Sequence, residues 1–136
     1  MILHYKISKI ETKQFAVFAD NLNVNSDVEI GTSFGFNVRN DCEQIRCISK
    51  FEYLQEDKLI MLLEIVTYFD IAPDGAERIK EQKSIAVEFL RYMATIVVGT
   101  ARGIIHSKTE NTIINSIILP PVNLVEAITE DFVLEK

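Results

Sequence analysis

Residues 28–38 read VEIGTSFGFNV, and this stretch decides the class of fold. Its apolar side chains and one threonine fall on every second position, with glycine, serine and polar residues between them. Successive side chains of a β-strand point to opposite faces of a sheet, so the pattern predicts a strand with one apolar face. The residues on that face are Val28, Ile30, Thr32, Phe34, Phe36 and Val38.

Three further strands lie on either side of this one in the sequence. Residues 5–19 carry apolar side chains on a period of two at both ends, and Ile10 and Thr12 between them fall on the opposite parity, which predicts a β-bulge. Residues 44–54 alternate in the same way, whereas residues 59–71 (LIMLLEIVTYFDI) are apolar on both parities apart from Glu64 and Asp70. A strand that is apolar on both faces needs cover on both, and we expect another subunit or a ligand to supply the second cover.

Helical periodicity follows the strands. Apolar residues recur at helical spacing over residues 76–108, after a Pro73-Asp74-Gly75 break, and they predict one long helix. Pro120-Pro121 cannot lie inside a helix. A short final helix is predicted over residues 124–134, with Asn123 as its N-cap. Four strands followed by helices predict an α+β fold with an antiparallel sheet.

The length and charge of the chain limit its class. Its 136 residues fit a single domain over residues 1–136. A formal net charge of −6 argues against nucleic-acid binding, which needs a basic surface, and suits solubility or a basic partner. The sequence shows neither a signal-peptide pattern nor an apolar run of about 20 residues, so we expect a cytoplasmic protein without membrane insertion.

The residues that carry chemistry form no recognisable set. Cys42 and Cys47 are far in sequence from His4 and His106, so we expect two reduced thiols packed in the sheet, no metal site and no disulfide framework. Ser107 follows His106 directly, and adjacent helical residues do not face each other. No phosphate loop or cofactor pattern is visible, and an enzyme is the least favoured class.

Two features remain to be explained. Glu64 interrupts an apolar strand. Three explanations are open: an outward-facing residue on the solvent side of the sheet, a partner contact, or an acid–base group. Of the two functional explanations we favour the partner contact. The chain also carries more apolar surface than one thin α+β layer needs. Two explanations of this additional apolar surface are open. It forms the core and an oligomer interface, or part of it binds extended apolar peptide.

Short motifs occur in a fixed order along the chain. They are ISKIETKQFAVFADN at residues 7–21, SDVEI at 26–30, LLEI at 62–65, Ala101-Arg102 followed by Ile105, and LPPVNL at 119–124. In order and spacing they resemble the SecB family of export chaperones. The matching family features are the first-strand signature, parts of the second and fourth strands, an Ala-Arg helix and a Leu-x-Pro-Val-Asn-Phe segment.

The resemblance implies a four-stranded antiparallel Greek-key sheet packed with a long helix and a short C-terminal helix. It implies a homotetramer, a dimer of dimers with helices between two sheets. The implied activity is ATP-independent holding of unfolded polypeptides or preproteins, in protein export or a related specialised role. In the family, clients pass to the motor SecA through the acidic outer face of the sheet and the C-terminal tail.

On this interpretation the clients lie in grooves lined by strand and helix residues, and a SecA-like partner contacts the fourth strand. The client-binding residues are Val28, Ile30, Phe34, Phe36, Ile65, Phe89, Met93 and Ile104, and the partner-contact residues are Leu62 and Glu64.

The sequence departs from the family pattern at several positions. Gln14 and Phe18 stand where the family carries two acidic residues, Thr100 replaces a tyrosine, and Ile114-Asn115 replaces a Phe-Pro pair. The loss of the two acids favours a specialised role, such as guarding an aggregation-prone antitoxin, over standard export. The alternative from another class is an adaptor or structural protein that keeps this fold and binds one dedicated partner such as an antitoxin, without general chaperone activity.

Overall fold

A computed structural model describes residues 3–134, and its centre is one antiparallel sheet. The strands are β1 (Tyr5–Val17), β2 (Glu29–Val38), β3 (Gln44–Gln55) and β4 (Lys58–Ile71), and they lie in the order β1-β4-β3-β2. The last three strands form consecutive hairpins, and β1 pairs beside β4 rather than beside β2. This is the Greek-key sheet of the predicted α+β fold, which is confirmed.

Strand β1 keeps one apolar face by means of two bulges. Its register against β4 shifts between Ile7 and Lys9, and again between Thr12 and Gln14. Each shift adds one residue and so reverses the parity of the strand. The predicted bulge is confirmed, and the two shifts bring one set of side chains to the same face: Tyr5, Ile7, Ile10, Thr12, Phe15 and Val17.

The single helix predicted over residues 76–108 is wrong, because the structure has two helices there. The first, α1, spans Pro73–Gln82 with Pro73 in its first turn, so the proline begins this helix rather than preceding it. Lys83 then adopts a left-handed conformation with φ of 57° and ends the helix. A two-residue strand, β5 (Ser84–Ile85), precedes the long helix α2 (Val87–Lys108).

The final helix is shorter than predicted. Helix α3 spans Leu124–Ala127, and the Asn123 side chain accepts a hydrogen bond from the Glu126 amide, as expected of an N-cap. Residues beyond it leave the helical conformation because Phe132–Val133 form a strand, β6, that pairs antiparallel with β5. In this position the Asp131 carboxylate accepts a hydrogen bond of 2.8 Å from the Val87 amide and caps α2.

Helix α2 packs on one face of the sheet, and the core lies between them. Buried helix residues include Phe89, Met93 and Val97, and the Phe89 ring meets Tyr5 of β1 edge-on at 5.3 Å. The sheet contributes alternate residues of its two central strands to this core. They are Ile45, Cys47, Ser49, Phe51 and Tyr53 of β3, and Met61, Leu63, Ile65, Thr67 and Phe69 of β4.

The face of the sheet away from α2 also buries apolar side chains of β4. Leu62 and Val66 are only 8% and 4% exposed. Leu62 is paired with Ala16 and Glu52, and Val66 with Glu11 and Ile48. Flanking strands of the same sheet therefore supply part of the second cover that we expected from another subunit or a ligand.

Candidate functional site

The candidate site is built around residues 117–123, which we call the proline segment. Pro120 and Pro121 have no amide hydrogen, so this stretch cannot join a helix or a sheet ladder through them. Side chains instead hold its carbonyl groups. Arg102 of α2 donates to the carbonyl oxygens of Leu119 and Pro120, at 2.6 and 3.2 Å. The Tyr53 hydroxyl donates to the carbonyl oxygen of Ile117 at 3.1 Å.

A cavity of about 630 Å³ lies between α2 and the proline segment. We call it the helix-side cavity. Its walls are mainly aliphatic. The lining includes Thr95, Val98 and Arg102 from α2, and Ile118, Val122 and Leu124 from the chain that follows α2. Ile118 is 65% exposed, so the cavity is open to solvent along this wall.

A second cavity, of about 420 Å³, lies on the other side of the proline segment. This strand-side cavity has Ile30 and Thr32 of β2 as one wall and Glu126 of α3 as part of another. Residues Pro120–Val122 line both cavities, so the proline segment is the wall between them.

The two cavities carry opposite charges. Among residues 3–134, Arg102 is the only charged residue that lines the helix-side cavity, and Glu126 is the only one that lines the strand-side cavity. Within residues 3–134, the salt bridges join other pairs and none involves Arg102. Its charge is therefore balanced by carbonyl dipoles and not by a carboxylate.

The structure distributes the predicted client-binding residues over three environments. Ile30 lines the strand-side cavity. Val28, Phe34, Phe36 and Ile104 are half-buried beside the core. Ile65, Phe89 and Met93 are buried between the sheet and α2, and their side chains contact core residues rather than either cavity.

The predicted partner-contact residues lie on the opposite face of the sheet. Leu62 is buried there, and Glu64 is half-buried, paired with Gln14 on β1 and Lys50 on β3. The surrounding side chains mix both signs of charge instead of forming one acidic surface. From β1, β3 and β4 they include Lys6, Lys9, Arg46 and Lys50 together with Glu11, Glu52, Glu64 and Asp70.

The two cysteine thiols are buried and protonated. Cys42 and Cys47 are free thiols, both buried, and burial raises the pKa of Cys47 to about 12. Burial likewise raises the pKa of Cys42 and, despite the opposing effect of the Arg102 charge, that of Tyr53 to about 12. Within residues 3–134, no group of three His, Cys, Asp or Glu side chains is placed to hold a metal ion.

No helix in that part of the chain has the length and apolar character needed to cross a membrane.

No protein-family model matches the chain, and no curated protein matches it. Of the predicted site residues, only Ile30 lines either cavity, and none lines the helix-side cavity. A local signal for them exists, because Ile117-Ile118 places apolar side chains next to two prolines that cannot enter regular structure.

Proposed function

We propose that this protein is a SecB-like molecular chaperone that binds unfolded or extended polypeptide without ATP. The proposal rests on the resemblance of its motifs to the SecB family and on a fold of the kind that this resemblance implies. A fold alone does not identify a function, so a binding site of suitable chemistry has to support it.

The single observation that carries the proposal is the pair of cavities on either side of Pro120–Val122. A protein that holds many different clients needs open apolar surface, because hydrophobic contact is non-directional and accepts varied side chains. The cavities supply such surface at the LPPVNL motif. An extended peptide lying across the proline segment can place side chains on both sides of it.

The client-contacting residues of this proposal combine sequence and structure. Ile30 comes from the predicted set, and Val98, Ile118, Val122 and Leu124 come from the cavity walls. Half-buried Val28, Phe34, Phe36 and Ile104 extend the apolar surface beyond the cavities. Ile65, Phe89 and Met93 contact a client only if α2 separates from the sheet.

We further propose a homotetramer, arranged as a dimer of dimers. Strand β1 is an edge of the four-stranded sheet, and two side chains on its α2-facing side are incompletely covered. Ile7 and Ile10 are 40% and 44% exposed. Exposed apolar residues on an edge strand suit association between copies of a chain. Light scattering after size exclusion should then give four times the mass of one chain.

The proposal also covers the role that the protein serves in the cell. We place the protein in the cytoplasm, without a catalytic activity or a cofactor, and serving either export through SecA or a specialised client such as an antitoxin. The mixed charges around Glu64 favour the specialised role, because an acidic docking face would present one sign of charge. SecA binding by wild type and by Glu64→Arg separates the two; equal binding removes Glu64 from any such site.

The test of the proposed function is client solubility. A reduced, chemically unfolded client is diluted into buffer without nucleotide, and its aggregation is followed by light scattering. We expect excess wild-type protein to suppress aggregation, and unchanged aggregation would contradict the chaperone proposal. Affinity capture then distinguishes the alternative: many unrelated unfolded clients support a chaperone, and one stoichiometric folded partner supports an adaptor.

A further inference from the structure

Arg102 gives the helix-side cavity a charge that its other walls do not have. The remaining lining residues are aliphatic, apart from the hydroxyl of Thr95. The Arg102 side chain is half-buried at the boundary between this cavity and α2. It is therefore the group most able to distinguish one bound segment from another by charge.

The guanidinium of Arg102 has N–H donors that form no hydrogen bond within the described residues. Two of its five N–H donors, one on Nε and one on Nη2, bond to the carbonyl oxygens of Leu119 and Pro120. Both acceptors are neutral, and none of the salt bridges within residues 3–134 involves this side chain. A guanidinium that forms no salt bridge within the described residues, beside mainly aliphatic walls, favours a carboxylate.

The acidic character of the whole protein does not remove this local preference. The net charge of −6 is spread over the chain, and salt at physiological strength screens charges separated by more than about 8 Å. Arg102 supplies the charge on the lining of the helix-side cavity. Glu126 lines the other cavity, across the proline segment.

We propose that the helix-side cavity selects extended peptide segments in which an acidic side chain stands among apolar ones, and that Arg102 is the residue that determines this specificity. This inference rests on the proposed function. We place the acidic group on a side chain within the segment and not on a terminal carboxylate, because the cavity is open to solvent along the exposed Ile118 wall and does not enclose a chain end.

Three short peptides test the proposal. They share one apolar sequence, have an amidated C-terminus, and differ at a central position that carries Glu, Gln or Lys. Fluorescence anisotropy gives the affinity of each peptide for the full-length protein. We expect Glu to bind more tightly than Gln by about fivefold, and Lys to bind most weakly. Added salt should reduce the difference between Glu and Gln. A fourth peptide, with Gln at the central position and a free C-terminal carboxylate, should bind no better than its amidated form.

Matched variants separate charge from structure. Arg102→Gln should bind Glu and Gln peptides equally, and Arg102→Lys should retain most of the preference. Arg91→Gln is the control, because Arg91 on the same helix also donates to two carbonyl oxygens, those of Ile128 and Val125, and does not line the cavity. It should keep the wild-type preference.

The binding results distinguish failure of the specificity inference from failure of the proposed function. Equal binding of the Glu and Gln peptides to wild type overturns the specificity inference and leaves the proposed function standing. A preference that survives in Arg102→Gln, or that disappears equally in Arg91→Gln, overturns the role of Arg102. Failure of every peptide to bind overturns this inference and the proposed function together.

Discussion

The Nε atom of Arg102 donates a hydrogen bond of 2.6 Å to the main-chain carbonyl oxygen of Leu119. This bond ties the C-terminal half of α2 to a segment that cannot form regular structure, because two prolines follow. The Leu119 side chain is buried beneath it, only 1% exposed. The helix thus fixes the wall that divides the two cavities.

Loss of the Arg102 side chain should loosen this wall. Arg102→Ala removes two hydrogen bonds from a charged donor, and we expect the free energy of unfolding to fall by about 1–2 kcal/mol. Amide hydrogen exchange should accelerate at Ile117 in the same segment, whose amide donates to the carbonyl oxygen of Ile114 at 2.9 Å. The control, Arg91→Ala, should accelerate exchange near Val125 and Ile128 instead. The same exchange pattern in both variants would contradict the local role of Arg102.

Gln55 should prove essential for the loop between β1 and β2. Its buried amide accepts a hydrogen bond from the Asn23 amide at 2.8 Å, and donates to the carbonyl oxygens of Asn23 and Ser26 at 2.7 and 2.8 Å. Gln55→Glu replaces the donating NH2 group with a carboxyl oxygen. When ionised, this oxygen faces the carbonyl oxygens of Asn23 and Ser26 and cannot donate to them. We expect a loss of about 2–3 kcal/mol at neutral pH, measured by urea unfolding.

The pH dependence of that variant follows from the same contacts. Burial among acceptors raises the folded-state pKa of the new carboxyl group above its unfolded value of about 4.3. Its stabilising protonated form is fully present below that value and is lost as pH rises, so the deficit should be smaller near pH 4 than at neutral pH. The exposed control, Gln82→Glu at the end of α1, should change stability by less than about 0.5 kcal/mol. A deficit independent of pH would contradict the assignment of the loss to the ionised carboxylate.

Asp131 should stabilise α2 from outside the helix. Its carboxylate accepts from the first amide of α2, where a negative charge also suits the helix dipole. Asp131→Ala should lower the free energy of unfolding by about 1 kcal/mol. Asp131→Asn should lose less, because the amide oxygen still accepts the bond. Glu130→Ala is the neighbouring control, and an equal effect there would exclude a specific cap.

Alkaline conditions should destabilise the fold through Tyr53. Burial raises its pKa to about 12, above an unfolded value of about 10. Its contribution is therefore fully present below pH 10 and is lost as pH rises towards 12. Tyr53→Phe should lose stability less steeply in that window, as urea unfolding would measure. Tyr92→Phe, at a 68% exposed position, should behave as wild type. Identical alkaline profiles in all three proteins would rule out Tyr53 as the source.

Local patterns were sufficient to predict the sheet and not the ends of the helices. Alternation in residues 28–38 depends on the residues themselves, and the two parity changes in β1 are visible as bulges. Lys83 ends α1 in a left-handed conformation that glycine usually adopts, so no local signal marks it. Strand β6 exists because Phe132–Val133 pair with Ser84–Ile85, far away in sequence.

The candidate site depends on such distant contacts even more. Ile30, Arg102 and Val122 belong to a strand, a helix and a connection, and only packing brings them around one segment. The sequence identifies Ala101-Arg102 and LPPVNL as motifs. It does not reveal that the arginine holds the carbonyl groups of the second motif, because a side chain–main chain bond across 17 residues leaves no periodic signal.

The most direct test of the account is photo-crosslinking from Ile118 to an unfolded client. Ile118 is an exposed residue of the helix-side cavity, and Val24, 71% exposed in the loop between β1 and β2, is the control outside both cavities. A photoreactive phenylalanine analogue replaces each in turn, and a permanently unfolded polypeptide is added without nucleotide. We predict crosslinks to the client from position 118 and few from position 24. Equal crosslinking from both positions, or none from position 118, would contradict the claim that this cavity binds unfolded polypeptide.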